Sequence, residues 1–598
     1  MGAIAAILSK SGPADADLIQ AMLSAPRHFG GSRSVAVCGS CALGVVNSTE
    51  ITDAELSATG GWMAAFTGTI DNRTDIIQQL AKLGHSPRTE STADLIAVAF
   101  RALGEEAARR LRGVFAAIVT NGTELWCFRD QLGWRPLHFH DRTQRFVVAS
   151  ESRQVIAGTR LSREPNLNVL ESMFYSRIDK STPSVFSGVA RLPQASVLYV
   201  GPSGKIVQQP YWRPHEIIDS LDLSATEVGE RFASVFETAV ARTLTGQDVI
   251  SLSGGIDSPA VAGFAAPLFR KLTGRALPAL STVYPNHPRV DESRYIELIA
   301  KALGMELHTF TPTAGPWDNL PYWIDVLDGP VPTLSFDEVT EYNRLAYQLG
   351  FRNVIGGDIA EAVFNLNRHV IGHLVTRGRW KSLVPMWRAV HAQGTTAAQF
   401  GKYMLSPFIP GRLANWHLRR TGRDFPERIP NWLSADKVNE VPFRNDLLRP
   451  ARQRYTGVQL FPFEGTTLTL EAGEVAAHLS GVTSRSPFAD VDVIEFFVSL
   501  RAELKFPDMA SKTLMRRMLR GRVPDAILDR KDKTVFSDYI MAHLNYDVLR
   551  RYVANPTTRI AGVDYAKLAE RIERRDFKLI DYAWANDLLR IHVFLSQW

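Results

Sequence analysis

A chain of 598 residues is longer than a single hydrophobic core usually serves, so at least two domains are expected. Its 45% hydrophobic and 22% charged residues are typical of a globular protein, and no apolar run reaches the length of a membrane span. The 68 basic residues barely exceed the 62 acidic ones, and no nucleic-acid-binding motif is present. Neither a membrane nor a nucleic acid is therefore expected as a partner.

Residues 1 to about 210 are predicted to form a sheet-rich, layered domain. Short apolar runs separated by glycine predict strands, and only residues 74–83 and 91–103 have a convincing helical pattern. The apolar start has no basic residue before it and no cleavage pattern after it, so no signal peptide is predicted and the expected location is the cytoplasm. Cys38 and Cys41 lie in a strand-like run without a second ligand pair, so no metal or redox role is assigned to them.

From about residue 224 to residue 598 the rhythm changes to alternating helices and strands. The predicted order is helix 225–244, strand 249–252, helix 259–272, strand 279–284, helix 292–303 and strand 306–310. Such alternation indicates a doubly wound parallel sheet, in which ligands bind beyond the carboxyl ends of the strands. From about residue 368 to 454 the alternation lapses, which predicts an insertion rich in basic and aromatic residues.

The most specific local motif is the loop 251–258, Ser-Leu-Ser-Gly-Gly-Ile-Asp-Ser, between a predicted strand and a predicted helix. Its two glycines let backbone N–H groups close on a phosphate, and its serines and the helix N-terminus add donors. Asp257 would be repelled by that phosphate unless a cation lay between them, so it is predicted to bind Mg²⁺. The alternative is a plain strand-to-helix turn with a capping aspartate. The predicted nucleotide-binding residues are Ser251, Ser253, Gly254, Gly255, Asp257, Ser258 and Gly357.

A second acidic segment follows the predicted strand 352–355 and should reach the same edge of the sheet. Asp358 and Glu361 are three positions apart, so on a starting helical turn they would share a face and join Asp257 around Mg²⁺ and pyrophosphate. The alternative is two solvated acids at a helix N-terminus.

These motifs resemble those of the asparagine synthetase superfamily. The loop 253–258 resembles its pyrophosphate loop, 357–361 its second acidic motif, 485–490 its Arg-x-Pro-Phe-Leu-Asp, and 511–516 its Lys-x-x-x-Arg stretch. The resemblance implies an N-terminal Ntn-type sandwich of antiparallel sheets, a C-terminal pyrophosphate-loop ATPase domain, and ATP with Mg²⁺ as cofactors. It also implies that Lys512 neutralises charge on the α-phosphate and pyrophosphate.

The first 210 residues resemble the glutaminase domain of the same family, through 66–72, 111–116, 129–137 and 150–151. Glutaminases of this type attack with an N-terminal cysteine, but that position is Gly2, and Thr67 replaces an oxyanion-binding Asn. We therefore predict an inactive glutaminase-like domain and an ATP-dependent, AMP-forming amide ligase whose nitrogen arrives on a substrate.

Among family members with this loss, the length of the chain favours a resemblance to the macrolactam cyclases of lasso peptides, with β-lactam synthetases as a second resemblance. Asp358 and Arg485 are 127 positions apart, which is longer than a compact synthetase needs. The insertion is expected to hold the precursor peptide, and the alternatives are a plain scaffold or RNA binding. Its basic and aromatic residues are Arg368, His369, Arg377, Arg379, Trp380, Lys381, Trp387, Arg388, Trp416, His417, Arg419, Arg420 and Arg423.

The predicted reaction adenylates an Asp or Glu side chain of a precursor peptide and closes a macrolactam with its N-terminal amine. Asp358 is the first candidate for the base that deprotonates this amine, with Glu474 or Glu471 second, because Thr483 stands where the family usually has Glu. The resemblance implies a leader-peptide-binding protein and a leader peptidase as partners. The alternatives are a synthetase that uses external ammonia, a β-lactam-type cyclase and a non-enzymatic nucleotide-binding protein.

Overall fold

The computed structural model describes residues 2–175, 184–315, 317–331, 336–364, 370–410, 429–439, 463–530, 534 and 536–598. The first 212 residues form two six-stranded antiparallel sheets, with the strand orders β10-β8-β9-β1-β3-β2 and β12-β11-β7-β6-β5-β4. The strands are β1 Ala3–Ser9, β2 Arg33–Cys38, β3 Cys41–Val46, β4 Ala54–Thr59, β5 Trp62–Ile70, β6 Gly113–Thr120, β7 Leu125–Arg129, β8 His138–Asp141, β9 Arg145–Ala149, β10 Ala190–Arg191, β11 Ser196–Val200 and β12 Ile206–Pro210.

The two sheets pack face to face, and helices cover their outer faces. Ile4, Ala6 and Leu8 of β1 point into the core between the sheets, whereas the alternate residues Ala5 and Ile7 point toward the outer helices. Because β1 is buried on both faces, its sequence is continuously apolar instead of alternating. This arrangement confirms the predicted antiparallel sandwich.

Helices of this domain were only partly predicted. The two expected helices are present, but four others were missed because they are short and weakly patterned. The helices are α1 Ala16–Ser24, α2 Arg73–Lys82, α3 Thr92–Leu103, α4 Glu106–Arg110, α5 Ser152–Thr159 and α6 Leu167–Phe174.

The described residues of the rest of the chain are built on a five-stranded parallel sheet in the order β15-β14-β13-β16-β17. The strands are β13 Asp248–Ser251, β14 Pro278–Thr282, β15 Glu306–Phe310, β16 Asn353–Ile355 and β17 Thr483–Arg485. The chain order reverses between β13 and β16, and this switch point is where ligands of doubly wound sheets bind. The predicted parallel sheet is thus confirmed.

Helices surround this sheet and extend to the C-terminus. They are α7 Ala225–Thr243, α8 Asp257–Thr273, α9 Ser293–Leu303, α10 Leu320–Leu327, α11 Phe336–Gln348, α12 Ala360–Phe364, α13 Val370–Thr376, α14 Trp380–Ala392, α15 Ala397–Leu405, α16 Ala435–Asn439, α17 Phe463–Leu479, α18 Val491–Ser499, α19 Ala502–Lys505, α20 Thr513–Leu519, α21 Asp525–Leu528, α22 Ser537–Ala542, α23 Tyr546–Leu549, α24 Tyr565–Arg574 and α25 Leu579–Leu595. None of the described helices combines the length and the apolar character that crossing a bilayer requires.

Helix α17 joins the two domains through side-chain contacts. Thr467, Glu471, Glu474 and His478 recur at helical spacing, so they lie on one face of α17. Each contacts the first domain: Thr467 donates to the Leu132 carbonyl, and the other three contact Arg129, Arg135 and Asp53, respectively. The antiparallel sandwich is therefore packed tightly against the parallel-sheet domain.

Candidate active site

The loop between β13 and α8 is folded by its own serines. The Ser253 N–H donates to the Ser258 hydroxyl over 2.8 Å, and the two hydroxyl oxygens are 3.0 Å apart. Ser258 is buried, so its hydroxyl stabilises the loop from the interior of the protein. Helix α8 begins at Asp257, two residues earlier than predicted, which places Asp257 in the positive first turn of the helix.

The two glycines of this loop have different roles. A Cβ at Gly254 would lie 2.9 Å from Glu292 Cβ and 3.0 Å from Tyr295 Cβ, whereas a Cβ at Gly255 would approach only Ser253 Oγ, at 3.4 Å. The Gly254 N–H donates to Glu292 Oε2 over 3.0 Å. Gly254 therefore allows the close contact with α9, and its N–H group is already bonded to Glu292, so it is not available to the predicted phosphate.

The second acidic loop packs directly on the first. A Cβ at Gly357 would lie 2.8 Å from Asp257 Cβ and from Ser258 N, so only glycine allows this approach. Ser486 donates to the Asp358 carbonyl over 2.7 Å, which joins the segment after β17 to the same site. The switch point between β13 and β16 thus gathers three of the predicted motifs.

Asp358 and Glu361 do not share a helical face, and this part of the prediction was wrong. Helix α12 begins at Ala360, and Ile359 before it has φ +72°, a left-handed conformation that is costly for a β-branched residue. Asp358 therefore lies outside the helix, whereas Glu361 lies in its first turn.

Lys512 links the two acidic loops. Its Nζ is 2.6 Å from Asp257 Oδ2 and 3.8 Å from Glu361 Oε1. The backbone of Lys512 is left-handed, with φ +60°, and its N–H donates to the Phe364 carbonyl over 3.3 Å. The predicted phosphate cation and the two predicted metal ligands are thus brought together at the carboxyl edge of the sheet.

The donor set suits Mg²⁺ bound together with a phosphate. Asp257 and Glu361 are carboxylates that reach solvent, with side chains 21% and 54% exposed, and carboxylate oxygens are the ligands that Mg²⁺ prefers. Within the described ranges, no group of three or more His, Cys, Asp or Glu residues has the geometry of a metal site. Two carboxylates would suffice, because Mg²⁺ usually takes its other ligands from phosphates and water.

Asp358 has the electrostatics of a proton acceptor. Its carboxylate reaches solvent, but the surrounding protein desolvates it and raises its pKa above the usual range, and the charge of Asp257 adds to the rise. Tyr342, buried beside Leu280 of β14, also senses the charge of Asp358. A carboxylate with a raised pKa holds a proton more strongly and is a better general base.

Glu474 and Glu471 lie at the contact with the first domain, so their position does not support the predicted role of second-choice bases. Glu474 Oε1 accepts from Arg135 Nη2 over 2.8 Å with both side chains buried, and Glu471 Oε1 accepts from Arg129 over 2.6 Å and also from Arg191. Both glutamates are therefore engaged by arginines of the first domain.

The space around Gly2 is filled by a cluster of side chains from both domains, among them Asp53, Arg135 and His478. The Gly2 N–H donates to Asp53, and Thr67 Oγ1 donates to the Gly2 carbonyl over 2.7 Å. Asp53 Oδ2 also contacts Arg135 Nη2 at 2.7 Å and His478 Nε2 at 3.1 Å. Burial alone would raise the pKa of Asp53, but Arg135 and His478 outweigh it and hold the pKa well below the usual range. A Cβ at Gly2 would lie only 2.4 Å from Ala54 Cβ, so the pocket has no space for a cysteine side chain.

The three cysteines are free thiols. Cys38 and Cys41 face each other across the β2–β3 hairpin, and burial raises the pKa of Cys41 to about 11. A thiol with so high a pKa is a poor nucleophile and metal ligand.

The predicted insertion is described only in part. Arg368, His369, Trp416, His417, Arg419, Arg420 and Arg423 lie outside the described residues. Arg379 is structural, since it pairs with Asp219 and Glu503, and Trp387 packs on Phe400 at 5.1 Å. The side chains of Arg377, Trp380, Lys381 and Arg388 are exposed.

Two residues around the nucleotide loop were not assigned a role from the sequence. Glu292 accepts the Gly254 N–H, and Arg530 Nη1 donates to the Gly254 carbonyl over 2.8 Å. Arg530 follows the Lys-x-x-x-Arg stretch, but nothing in the sequence pairs it with Glu292, which is 238 positions away.

Comparisons with known proteins identify the families of the two domains. The sequence model of the asparagine synthase family matches residues 231–590, and that of the glutamine amidotransferase domain matches residues 1–212. "Asparagine synthetase [glutamine-hydrolyzing] 3" of Bacillus subtilis is 23% identical over 78% of this chain and 74% of its own length. "Asparagine synthetase [glutamine-hydrolyzing] 1" of the same organism is 24% identical over the same shares of the two chains. "Carboxyethyl-arginine beta-lactam-synthase" of Streptomyces clavuligerus is 27% identical over 43% of this chain and 47% of its own length.

Proposed function

Because this chain belongs to the asparagine synthase family, whose members are ATP-dependent carbon–nitrogen ligases that form AMP, we propose that it joins a carboxylate and an amine of one substrate. The observation that carries the proposal is the contrast between the two domains. Lys512, Asp257 and Glu361 meet at the switch point of the parallel sheet, whereas Gly2 occupies a closed pocket without a nucleophile. This contrast supports a ligase that uses an amine of its substrate and not ammonia released in the first domain.

The residues divide the work as follows. A carboxylate of the substrate attacks the α-phosphorus of ATP, and pyrophosphate leaves from the loop 253–258. Lys512 offsets the negative charge that develops on the phosphates, a stabilisation on the order of 3–4 kcal/mol for a group of this kind. Mg²⁺ held by Asp257 and Glu361 would screen the pyrophosphate from these carboxylates.

Amide formation requires a neutral amine. Asp358 takes one proton of the substrate ammonium, the amine attacks the acyl carbon, and AMP leaves while the second proton of the nitrogen is released to solvent. The raised pKa of Asp358 suits this task. Because the amine and the acyl-adenylate belong to one substrate, the second step is intramolecular. This proximity supplies most of the rate advantage of amide formation over hydrolysis of the adenylate.

The finer proposal is that the substrate is a precursor peptide and the product a macrolactam between its N-terminal amine and an Asp or Glu side chain. Exposed Arg377, Trp380, Lys381 and Arg388 support peptide binding by the insertion, because basic and aromatic side chains suit an extended peptide with acidic and aromatic residues. A leader-peptide-binding protein and a leader peptidase are the partners that such a substrate requires. The relative named as a β-lactam synthase favours a small-molecule cyclase as the second candidate.

The test is a reconstitution with ATP, Mg²⁺ and a synthetic precursor peptide, analysed by mass. The expected product is lighter than the peptide by one water and appears together with AMP and pyrophosphate. Turnover of free aspartate with ammonium instead would identify an ammonia-dependent synthetase. Absence of ATP–pyrophosphate exchange with peptides, aspartate and N-carboxyalkyl amino acids would overturn the ligase assignment.

A further inference from the structure

The peptide group of Gly254 is held from both sides. Its N–H donates to Glu292 Oε2 over 3.0 Å, and its carbonyl accepts from Arg530 Nη1 over 2.8 Å. Glu292 precedes α9, whereas Arg530 follows α21, so two distant segments converge on one peptide of the nucleotide loop.

The two residues also bond to each other. Arg530 Nη1 is 2.8 Å from Glu292 Oε1, and Thr534 accepts from Arg530 Nη2 over 2.9 Å while donating to Glu292 Oε1 over 2.6 Å. The guanidinium also lies over the Tyr295 ring, at 4.1 Å from its centroid. We call Glu292, Arg530 and Thr534 the loop clamp.

The loop clamp is protected from water. The side chains of Arg530 and Glu292 are 9% and 16% exposed, so their ion pair is weakly screened. Moving Gly254 would break two hydrogen bonds to charged groups at once, and such bonds are individually stronger than neutral ones. The loop clamp therefore fixes the orientation of the Gly254 peptide.

This orientation determines which donors remain for a phosphate. The N–H of Gly254 is directed to Glu292, so a phosphate must be bound by the donors that follow, from Gly255 to the first turn of α8. A Cβ at Gly255 would approach only Ser253 Oγ, at 3.4 Å, and the Gly255 N–H makes a bond of just 3.4 Å to the same hydroxyl, which is long for a hydrogen bond. A loop free to rotate at Gly254 would lose the alignment of these donors with the helix N-terminus.

We propose that Glu292 and Arg530 are positioning residues that hold the loop 253–258 in its phosphate-binding shape without contacting the phosphate themselves. The inference rests on the proposed function, in that the loop must bind the phosphates of ATP.

The test compares binding of Mg²⁺–pyrophosphate and of adenosine to the full chain by calorimetric titration. In Arg530→Met and Glu292→Gln, the dissociation constant for pyrophosphate is expected to rise about tenfold or more, while that for adenosine changes less than about twofold. Arg530→Lys should recover only part of the loss, because a single ammonium cannot replace the planar fork. The double variant should bind pyrophosphate as well as the single variant of lower affinity does, because the residues act as one unit.

Arg289→Met is the matched control, since Arg289 forms an exposed ion pair with Asp538 in the same part of the molecule. A folded Glu292→Gln protein with unchanged pyrophosphate affinity would overturn the inference, as would an equal loss of adenosine affinity, which indicates general damage. If Arg530→Met does not fold, the near-isosteric Glu292→Gln decides. If the wild type binds pyrophosphate but has no exchange activity, and the variants lose pyrophosphate binding, only the ligase proposal is refuted. A wild type that binds no pyrophosphate would refute both.

Discussion

Lys512 Nζ and Asp257 Oδ2 lie 2.6 Å apart, although 255 positions separate the two residues in the sequence. The pair joins the first turn of α8 to the start of α20 and has side chains only 11% and 21% exposed. A cation in this position faces the same space as the phosphate-binding loop.

Lys512→Met should abolish adenylation. Loss of a cation that meets the developing phosphate charge costs on the order of 3–4 kcal/mol, or a factor of 10² to 10³ in rate. The measurement is ATP–pyrophosphate exchange. Lys567→Met is a matched control, because Lys567 forms a 2.9 Å pair with Asp564 on the surface and should exchange at the wild-type rate. Exchange by Lys512→Met within a few-fold of wild type would remove Lys512 from the site.

Gly2→Cys should not restore glutamine hydrolysis. The new Cβ would meet Ala54 Cβ at 2.4 Å and Asn47 Oδ1 at 2.7 Å, and overpacking of this kind costs about 1–3 kcal/mol. We therefore expect a lower melting temperature and no glutamate release from glutamine. The Gly2→Cys/Ala54→Gly variant should regain part of the stability but remain inactive, since Arg135 and Asp53 still fill the pocket. Glutamate release by either variant above the buffer rate would contradict the closed pocket.

Asp358 should set the acid limb of the pH–rate profile. The base must be deprotonated, so kcat/KM should fall as the pH drops through its pKa, and burial together with Asp257 places that pKa above the ordinary value of about 3.9. Asp358→Asn should reduce the rate of amide formation by about 10² to 10⁴ and remove this limb. If the residual activity of Asp358→Asn keeps the same acid limb, another group is the base.

Alanine at the two loop glycines should affect stability differently. Gly254→Ala places a methyl group against Glu292 and Tyr295, so it should lower the melting temperature and weaken nucleotide binding together. In Gly255→Ala the methyl group would approach only Ser253 Oγ, at the ordinary contact distance of 3.4 Å, so stability should be unchanged and only the affinity for ATP should fall. Equal loss of stability in both variants, measured by thermal unfolding, would contradict the different environments of the two glycines.

The fold was largely predictable because a clear hydrophobic pattern marks its long elements, as in the continuous apolar run of β1 and the helical periodicity of α7. Short elements escaped prediction: β17 has three residues, and α4 has five. Within the site, local motifs predicted the loop and its acids. The left-handed Ile359 was not predictable, because a β-branched residue there violates backbone preference.

Long-range pairing limited the prediction of the site more than local structure did. Glu474 is acidic and close in sequence to the predicted site, but its role depends on Arg135, which is 339 positions away. Likewise, Glu292 gains its role only through Arg530. A single sequence records which charges are present, but the fold decides which of them meet.

The contacts between α17 and the first domain determine whether that domain can be deleted without loss of stability. A chain that began after the first domain would leave Glu471 and Glu474 without Arg129 and Arg135, and breaking a buried ion pair costs about 3–5 kcal/mol. Such a loss is a large fraction of the stability of a typical domain. A domain whose nucleophile has gone can thus be kept by selection for folding alone, and shortening the gene would first require neutral residues on that face of α17.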